Sequence, residues 1–274
     1  MEVAAKFQRA LDASRLCLGL DPHVGSENVF LAKLIDTLGT QLALELWAKT
    51  AIDACEKKSA AVKFQSAFYE VFGTAGWEAL RNSIAYAQSK NLFVIYDAKR
   101  GDIASTMEAY GKAAFDVLQA DALTVHLHMG TDVVKSLLPW LKQGKIIYLV
   151  WKTSNASAAE FQNDIANKVQ NIFEKFAFEN NILPSLGYVL GVQNISKAFV
   201  EEKISRLDTK LILPGIGAQG AEINSHVKTF LASYPQALLP ISRGITQMPT
   251  ELSTLEDFAD LCKIRINYFA DMLI

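Results

Sequence analysis

Short hydrophobic runs recur along the whole chain, separated by longer stretches of mixed polar and apolar character. Apolar runs of four to eight residues that are rich in β-branched and aromatic side chains are typical of buried β-strands. The sequence contains eight such runs: Leu16–Leu20, Ala60–Phe64, Leu92–Tyr96, Ala122–Leu127, Ile146–Trp151, Tyr188–Val192, Leu211–Leu213 and Ala237–Ile241.

Most intervals between these runs are long enough for a helix, and several have the helical period. The first 15 residues predict an amphipathic helix. The interval between the first two strands holds an extra stretch of helix length. In one interval Leu42, Leu46, Lys49, Thr50 and Asp53 give one apolar and one polar stripe, and in another Ile165, Val169, Ile172, Phe173 and Phe176 give a further stripe.

Strands that alternate with helices indicate an α/β protein with a parallel sheet. Eight such units predict a closed (β/α)₈ barrel of the TIM type rather than an open sheet. The length of 274 residues suits one such barrel, and no linker or shift in composition marks a domain boundary. We therefore predict a single barrel domain over residues 1–274.

Composition narrows the class of protein and its partners. Half of the residues are hydrophobic and 20% are charged, which excludes a disordered chain. The net charge of −2 predicts no basic face for nucleic acid. No apolar run approaches the roughly 18 residues of a membrane span, and the N-terminal segment lacks the apolar core of a signal peptide. Cys17, Cys55 and Cys262 have no paired spacing, so we expect no disulfide framework and a cytoplasmic location.

Polar and ionisable residues collect where nearly every predicted strand ends. The active site of a barrel lies at the C-terminal ends of its strands, so this clustering is hard to explain by packing alone. The residues concerned are Asp21, Lys63, Gln65, Asp97, Lys99, Arg100, Asp102, His126, His128, Lys152, Thr153, Ser154, Asn155, Gln193, Asn194, Ser242 and Arg243.

The densest cluster is the DAKRGD segment at residues 97–102. Because side chains alternate along a strand, Asp97 and Lys99 point the same way. We expect Lys63 from the preceding strand to meet them, with Asp102 following one loop turn later. Alternating lysines and aspartates hold each other in the charged form. The array is either preorganised catalytic electrostatics or a structural salt-bridge network at the barrel mouth, and the spacing alone does not separate the two.

A glycine-rich segment, GIGAQG (Gly215–Gly220), follows the seventh strand. It matches a dinucleotide-binding fingerprint, but the next strand ends in Ser242 and Arg243 without the required carboxylate. Backbone N–H groups around glycines such as Gly217 bind anions, and Arg243 adds a charge-assisted bond. Barrels commonly bind phosphate with the loops after strands seven and eight. A phosphate site is therefore predicted here, with a plain tight turn as the alternative.

Three further features have both a functional and a structural interpretation. His126 and His128 could hold a metal with Asp97 or Asp102 as third ligand, or could be hydrogen-bonding pocket histidines. Lys152 could form a Schiff base, or it could be a surface or ion-paired lysine. Cys17 is interpreted as a buried, inert thiol.

Six motifs follow one another along the chain: GLDP (19–22), AVKFQSAFYE (61–70), DAKRGDIAST (97–106), KTSN (152–155), LPGIGAQG (213–220) and SRG (242–244). In these motifs and their order the sequence resembles the orotidine 5′-phosphate decarboxylase family in its longer bacterial-type form, from about residue 16 to residue 245. The resemblance implies a homodimeric (β/α)₈ barrel that converts orotidine monophosphate (OMP) to UMP in pyrimidine synthesis, without metal or organic cofactor.

The resemblance also implies roles for individual residues. The catalytic array is Lys63, Asp97, Lys99 and Asp102, with Lys99 as the proton donor. Asp102 and Thr106 enter the site of the partner subunit across the dimer interface. The substrate-binding residues are Asp21 and Lys63 on the ribose hydroxyls, Ser154 on the pyrimidine edge, and Gly217, Gln219 and Arg243 at the phosphate.

The sequence departs from the family pattern beside this array. Phe64 stands where the family often has proline, the HLH segment at 126–128 replaces an Asn-Pro-aromatic stretch, and Ala156 replaces a proline. These changes concern the wall of the pocket. Two other functions stay open: a magnesium-dependent decarboxylase or aldolase acting on sugar phosphates, and a catalytically silent barrel that binds a nucleotide.

Overall fold

The protein is a closed barrel of eight strands that are hydrogen-bonded in the order of the sequence, β1 to β8. The computed structural model describes residues 2–25, 28–195, 208–216, 222–250 and 253–273, without the side chains of residues 159 and 163–167. The pairs β1–β2, β2–β3, β4–β5, β5–β6, β6–β7 and β7–β8 are parallel. The α/β class and the (β/α)₈ barrel expected from the sequence are therefore confirmed.

Every predicted strand is present, and most bounds agree to within one or two residues. The strands are β1 (Leu16–Leu20), β2 (Ala61–Gln65), β3 (Phe93–Arg100), β4 (Ala122–Val125), β5 (Ile146–Lys152), β6 (Leu186–Leu190), β7 (Lys210–Ile212) and β8 (Ala237–Ile241).

The largest differences from the prediction concern β3 and β6. Pairing extends β3 through the charged residues as far as Arg100. In β6, Leu186 and Gly187 pair with Ile147 and Tyr148, and the Tyr148 ring fills the space where a side chain of Gly187 would lie. This pairing overrides the low strand preference of glycine, so β6 begins two residues before the predicted start.

The chain divides into two compact units, Met1–Ala4 with Ala98–Leu239, and Ala5–Asp97 with Pro240–Ile274. The single domain expected from the sequence stays a prediction. None of the helices in the described ranges is long and apolar enough to cross a membrane. The helices are α1 (Glu2–Ala13), α2 (Val29–Leu38), α3 (Thr40–Cys55), α4 (Ala67–Glu70), α5 (Gly73–Ser89), α6 (Ala104–Gly111), α7 (Asp132–Lys135), α8 (Leu138–Leu141), α9 (Gln162–Glu179), α10 (Ser225–Ser233), α11 (Arg243–Thr246) and α12 (Leu255–Asp271).

In the unit that holds Ala5–Asp97, α3 packs against α2, α5 and α12. The stripe predicted to be apolar was wrong in its orientation, because Leu42 is 47% exposed while Leu44 and Trp47 are buried. Trp47 stacks on Phe258 of α12 at 5.9 Å between ring centroids. The rings displace the buried face of α3 by one or two residues from the one that hydrophobicity alone indicates.

In the unit that holds Ala98–Leu239, β4, β5, β6 and β7 form the continuous part of the sheet. The helix α6 continues into a single π-helical segment, Lys112–Val117. Trp140 of α8 closes this region by donating to Asp116 Oδ1 at 2.7 Å and packing on Phe115.

In the unit that holds Ala5–Asp97, the end of β8 approaches β1 closely. A Cβ atom built on Gly19 would lie 1.9 Å from Ser242 Oγ and 3.1 Å from Ser242 Cα. Only glycine fits this position without displacing the residue that precedes Arg243.

We therefore expect Gly19→Ala to lower the free energy of unfolding by about 1–3 kcal/mol, the usual range for overpacking. Chemical denaturation followed by circular dichroism measures the change. Ser242→Gly removes the two nearest clashing atoms, so adding it to Gly19→Ala should restore part of the loss. If Gly19→Ala is as stable as the parent chain, the close approach is wrong.

Candidate active site

A buried ammonium group lies between two carboxylates at the C-terminal ends of β1, β2 and β3. Lys63 Nζ is 3.3 Å from Asp21 Oδ1 and 3.2 Å from Asp97 Oδ2. The strand register places Gly19 opposite Lys63 and Gln65 opposite Asp97, which brings the three side chains to one side. The predicted meeting of Lys63 with Asp97 is thus confirmed, and Asp21 joins them.

The charges of this cluster depend on one another. Lys63 is 6% exposed and Asp97 is 7% exposed, so little water reaches them. Burial by itself would lower the pKa of Lys63, but Asp21 and Asp97 outweigh it and hold the pKa above its ordinary value. Lys63 is therefore a permanent cation at physiological pH.

Two uncharged groups flank the cluster. Burial, together with the nearby carboxylates, raises the pKa of the Cys17 thiol to about 12, although Lys63 opposes the shift. Cys17 is therefore a neutral, unreactive thiol, as expected from the sequence. Burial also raises the pKa of Tyr69, and Asp21 adds to the shift.

Lys99 lies near the end of β3 in an unusual backbone conformation, with φ at 46°. Such a conformation costs a non-glycine residue energy and persists only where neighbouring groups hold it. Thr124 of β4 supplies one such contact, because its Oγ1 accepts a hydrogen bond from Lys99 N–H at 2.9 Å. One residue on, Arg100 O accepts a bond from His126 N–H at 2.8 Å. These contacts hold the backbone at and beside the candidate proton donor.

Asp102 and Thr106 follow in the loop and in α6. Asp102 is half-buried, and its Oδ1 accepts a hydrogen bond from Ile103 N–H at 2.8 Å. Thr106 is exposed, and Ile103 between them is 50% exposed. An apolar side chain is thus presented to the surface beside an acid and a hydroxyl.

His126 and His128 lie just beyond β4, with ring centroids 5.9 Å apart. His128 stacks on Phe161 at 5.1 Å. Burial, His128 and Lys99 lower the pKa of His126, which is therefore neutral near pH 7. Across the described ranges there is no group of three or more His, Cys, Asp or Glu residues placed to hold a metal ion. The third ligand that the metal hypothesis needs is not found there.

The loop after β5 carries half-buried Ser154, and two side chains hold its backbone. Gln162 Oε1 accepts from Thr153 N–H at 2.7 Å, and its amide donates to Thr153 Oγ1 at 2.8 Å. Asn194 donates to Thr153 O at 2.9 Å. The neighbouring ammonium of Lys152 lies 5.9 Å from the Trp151 ring centroid. Ser154 is thus presented from an anchored loop.

The predicted phosphate region is only partly within the described residues. Gly217 and Gln219 lie outside them. Gly215, which opens the glycine-rich segment, has a φ of 125° and faces the side chain of Gln193. That conformation favours glycine, and the predicted phosphate site stays a prediction.

Arg243 begins α11 and lines a cavity at the ends of β1 and β8. Its neighbours in the chain, Thr246 and Gln247, line the same cavity, as does Asp21 of the charged cluster. The structure therefore places the predicted phosphate arginine and the predicted ribose carboxylate on one cavity. Among the described residues, the lining comprises Asp21, His23, Asn28, Arg243, Thr246 and Gln247.

Sequence reasoning missed several residues that shape the site. Thr124 had a signal, because it is the one hydroxyl in the apolar run ALTV. His23 follows the GLDP motif directly, and its ring packs against that of Phe68 in a tilted arrangement with a centroid distance of 4.0 Å. Gln162 has no sequence signal, since its role depends on how α9 returns to the end of β5.

Each of these groups offers a defined chemistry. A buried cation neutralised by two carboxylates cannot act as a proton acceptor, but it can bind hydroxyl groups in a fixed orientation. A second lysine on a strained strand end offers a directed proton. The cavity with Arg243 offers a cationic site for an anion such as phosphate.

Comparison with known sequences gives a consistent result. Residues 14–258 match the model of the orotidine 5′-phosphate decarboxylase / HUMPS family. The orotidine 5′-phosphate decarboxylase of Herpetosiphon aurantiacus is 34% identical over 249 residues, covering 88% of this chain and 87% of that protein. The enzyme of the same name from Streptomyces coelicolor is 29% identical over 274 residues, covering 96% of each.

Solved structures agree. The OMP decarboxylase of Leishmania donovani has a TM-score of 0.73 and 26% identity, covering 99% of both chains. The UMP synthase of the same organism has a TM-score of 0.77 and 26% identity, covering 97% of this chain. The present chain spans 54% of that longer protein.

Removing the buried cation should destabilise the fold. We expect Lys63→Met to cost about 3–5 kcal/mol of unfolding free energy, because it removes the cation that lies between Asp21 and Asp97 and leaves their negative charges to repel each other. That repulsion favours proton uptake by the folded state, so the stability of the variant should recover as the pH falls from 7.5 to 5. Urea denaturation at the two pH values measures both effects.

Two comparisons sharpen this test. Adding Asp97→Asn to Lys63→Met removes one of the two negative charges, so it should restore part of the lost unfolding free energy. Lys112→Met removes a lysine from an exposed pair with Glu108 and should change stability little. Equal losses for Lys63→Met and Lys112→Met would contradict the buried charge cluster.

Proposed function

The chain belongs to the orotidine 5′-phosphate decarboxylase / HUMPS family, and from this premise we propose how its residues carry out the reaction. The reaction is the decarboxylation of OMP to UMP in pyrimidine biosynthesis. The observation that supports the proposed roles best is the buried cluster of Lys63 with Asp21 and Asp97, beside the cavity that Arg243 lines.

We assign substrate binding to residues at both ends of the ligand. Arg243 binds the phosphate, with Gln219 and the backbone at Gly217 as further donors. Lys63 and Asp21 bind the ribose hydroxyls, because an ammonium donates and a carboxylate accepts. Ser154 contacts the pyrimidine edge from the loop that Gln162 and Asn194 anchor. Binding of the remote phosphate lowers the barrier only through interactions expressed at the reacting carbon.

Loss of CO₂ is the difficult step. The bond from C6 to the carboxyl carbon breaks, and its electron pair stays on C6, where the pyrimidine ring offers no conventional electron sink. The Lys99 ammonium stabilises the developing negative charge and then gives its proton to C6, which forms UMP. Solvent returns a proton to Lys99. Asp97 lies on the same strand two residues away and keeps the substrate carboxylate in a negative field.

A homodimer completes each site in this proposal. Asp102 and Thr106 enter the site of the partner subunit, with Ile103 in the interface between them. The exposure of Ile103 and Thr106 beside half-buried Asp102 supports this arrangement. An exposed isoleucine of this kind becomes buried when two copies associate.

The proposed reaction needs no metal or organic cofactor, since every proton and charge is supplied by side chains. This separates it from the magnesium-dependent enzymes that act on sugar phosphates. The three cysteines are free and buried, which supports a reducing compartment such as the cytoplasm.

The assignment predicts that the EDTA-treated protein converts the ultraviolet spectrum of OMP to that of UMP. Lys99→Ala should lower kcat by at least about a thousandfold, because both charge stabilisation and proton donation are lost. Lys135→Ala removes an exposed lysine of α7 and should leave kcat unchanged. The change in ultraviolet absorbance at saturating OMP measures kcat for the parent chain and the two variants.

Two outcomes would contradict the assignment. Activity that requires added Mg²⁺ would favour the sugar-phosphate enzymes. Appreciable turnover by Lys99→Ala, with OMP decarboxylation intact in the parent chain, would exclude Lys99 as the proton donor.

The shared site makes a separate prediction. Lys99→Ala and Asp102→Ala should each be inactive alone, but subunit exchange should restore activity. Each mixed dimer then has one intact site out of two, with its own Lys99 and the partner's Asp102, so the purified mixed dimer should have about half of the activity of the parent dimer. Co-purification of two differently tagged variants followed by the OMP assay tests this. If the mixture stays inactive while mixed dimers are present, Asp102 acts within its own subunit.

A further inference from the structure

The cavity that Arg243 lines depends on one short segment of chain. Arg243, Thr246 and Gln247 contribute half of its lining, and all three belong to α11 or to the residue that follows it. A movement of this segment would therefore displace the arginine and reshape the cavity together.

A helix of one turn cannot hold its own position, because too few hydrogen bonds offset the cost of ordering it. In α11, Ile245 N–H and Thr246 N–H donate to Ser242 O, and Gln247 N–H donates to Arg243 O. These bonds close the turn internally. The carbonyl groups of Ile245 and Gln247 at the C-terminal end need donors from elsewhere.

Arg265 of α12 supplies those donors. Its Nη1 lies 3.2 Å from Ile245 O and also donates to Gln247 O. The Cys262 thiol, one turn earlier on the same helix, lies 3.9 Å from Ile245 O. Two carbonyls of the segment are thus held by one guanidinium group.

The helix that carries Arg265 is itself well anchored. It begins with a capping box in which Thr254 and Asp257 bond reciprocally. Its Phe258 is fully buried against Phe30 and Trp47. Arg265 therefore transmits a fixed position from α12 to α11.

We infer that Arg265 is a positioning residue for phosphate binding, which acts by holding the backbone of α11 so that Arg243 faces the cavity. The inference rests on the proposed role of Arg243 at the phosphate. Arg265 is not among the described residues that line the cavity, so it has no direct contact with a ligand there. A charge-assisted bond from arginine to a carbonyl is stronger than a neutral one, which suits this anchoring role.

The first test measures affinity for UMP and for uridine by titration calorimetry. Arg265→Met should weaken UMP binding and raise the KM for OMP by about tenfold, a typical cost of a misplaced contact group. Uridine binding and kcat should change less than twofold. Arg265→Lys keeps one donor and should lie between the parent chain and Arg265→Met. Lys263→Met, which removes an exposed cation from the same helix, is the matched control and should bind UMP normally.

The second test asks whether Arg265 acts through Arg243. In the Arg243→Ala background, Arg265→Met should add no further loss of UMP affinity, because the group that it positions is absent. A structural role would instead weaken UMP and uridine alike, or would add its full effect in both backgrounds. Either of those results overturns the inference, as does normal UMP binding by Arg265→Met.

The two levels of the proposal fail separately. If Arg243→Ala binds UMP and uridine in the parent ratio, the phosphate role of Arg243 is wrong, whatever Arg265 does. If Arg243→Ala loses UMP affinity selectively and Arg265→Met does not, only the role of Arg265 is wrong. Should Arg265→Met unfold below assay temperature, Arg265→Lys in both backgrounds decides the same question.

Discussion

The candidate site is organised around one buried ammonium group held between two carboxylates. None of the three charges would be stable alone in a region so poorly exposed to water, since an isolated buried charge would be neutralised by a shift of its pKa. Lys63 lies within ion-pair distance of both Asp21 and Asp97, so the opposite charges compensate one another. The absence of a side chain at Gly19, opposite Lys63, leaves room for the end of β8 to approach β1.

This cluster has a consequence for binding. One lysine and two aspartates leave a net negative charge, which would repel a substrate that carries both a phosphate and a carboxylate. In the proposed mechanism, Arg243 at the phosphate and Lys99 at the reacting carbon offset that repulsion. In the same proposal, phosphate binding holds the substrate carboxylate near Asp97, where loss of CO₂ relieves the repulsion.

A recurring device places the functional groups. A side chain from a neighbouring element bonds the backbone of the segment that carries each one. Thr124 bonds Lys99 N–H, Gln162 bonds Thr153 N–H, and Arg265 bonds the carbonyls of α11. The strand ends of a barrel supply the groups, and these contacts hold the backbone segments that carry them.

The sequence predicts the barrel well because its strands are nearly continuous apolar runs and their pairing follows chain order. It also predicts the meeting of Lys63 with Asp97, since both end neighbouring strands on the same side. It does not predict the buried face of α3, where large rings rather than summed hydrophobicity decide the orientation. Contacts such as those of Gln162 and Arg265 depend on how the helices that carry them pack against the strand ends, and no local sequence pattern encodes that packing.

A crystal structure of the protein with UMP bound tests the account most directly. We expect the phosphate on Arg243, the ribose hydroxyls on Lys63 and Asp21, and C6 of the pyrimidine facing the Lys99 ammonium. UMP seated with its ribose away from Lys63, or with C6 out of reach of Lys99, would contradict it.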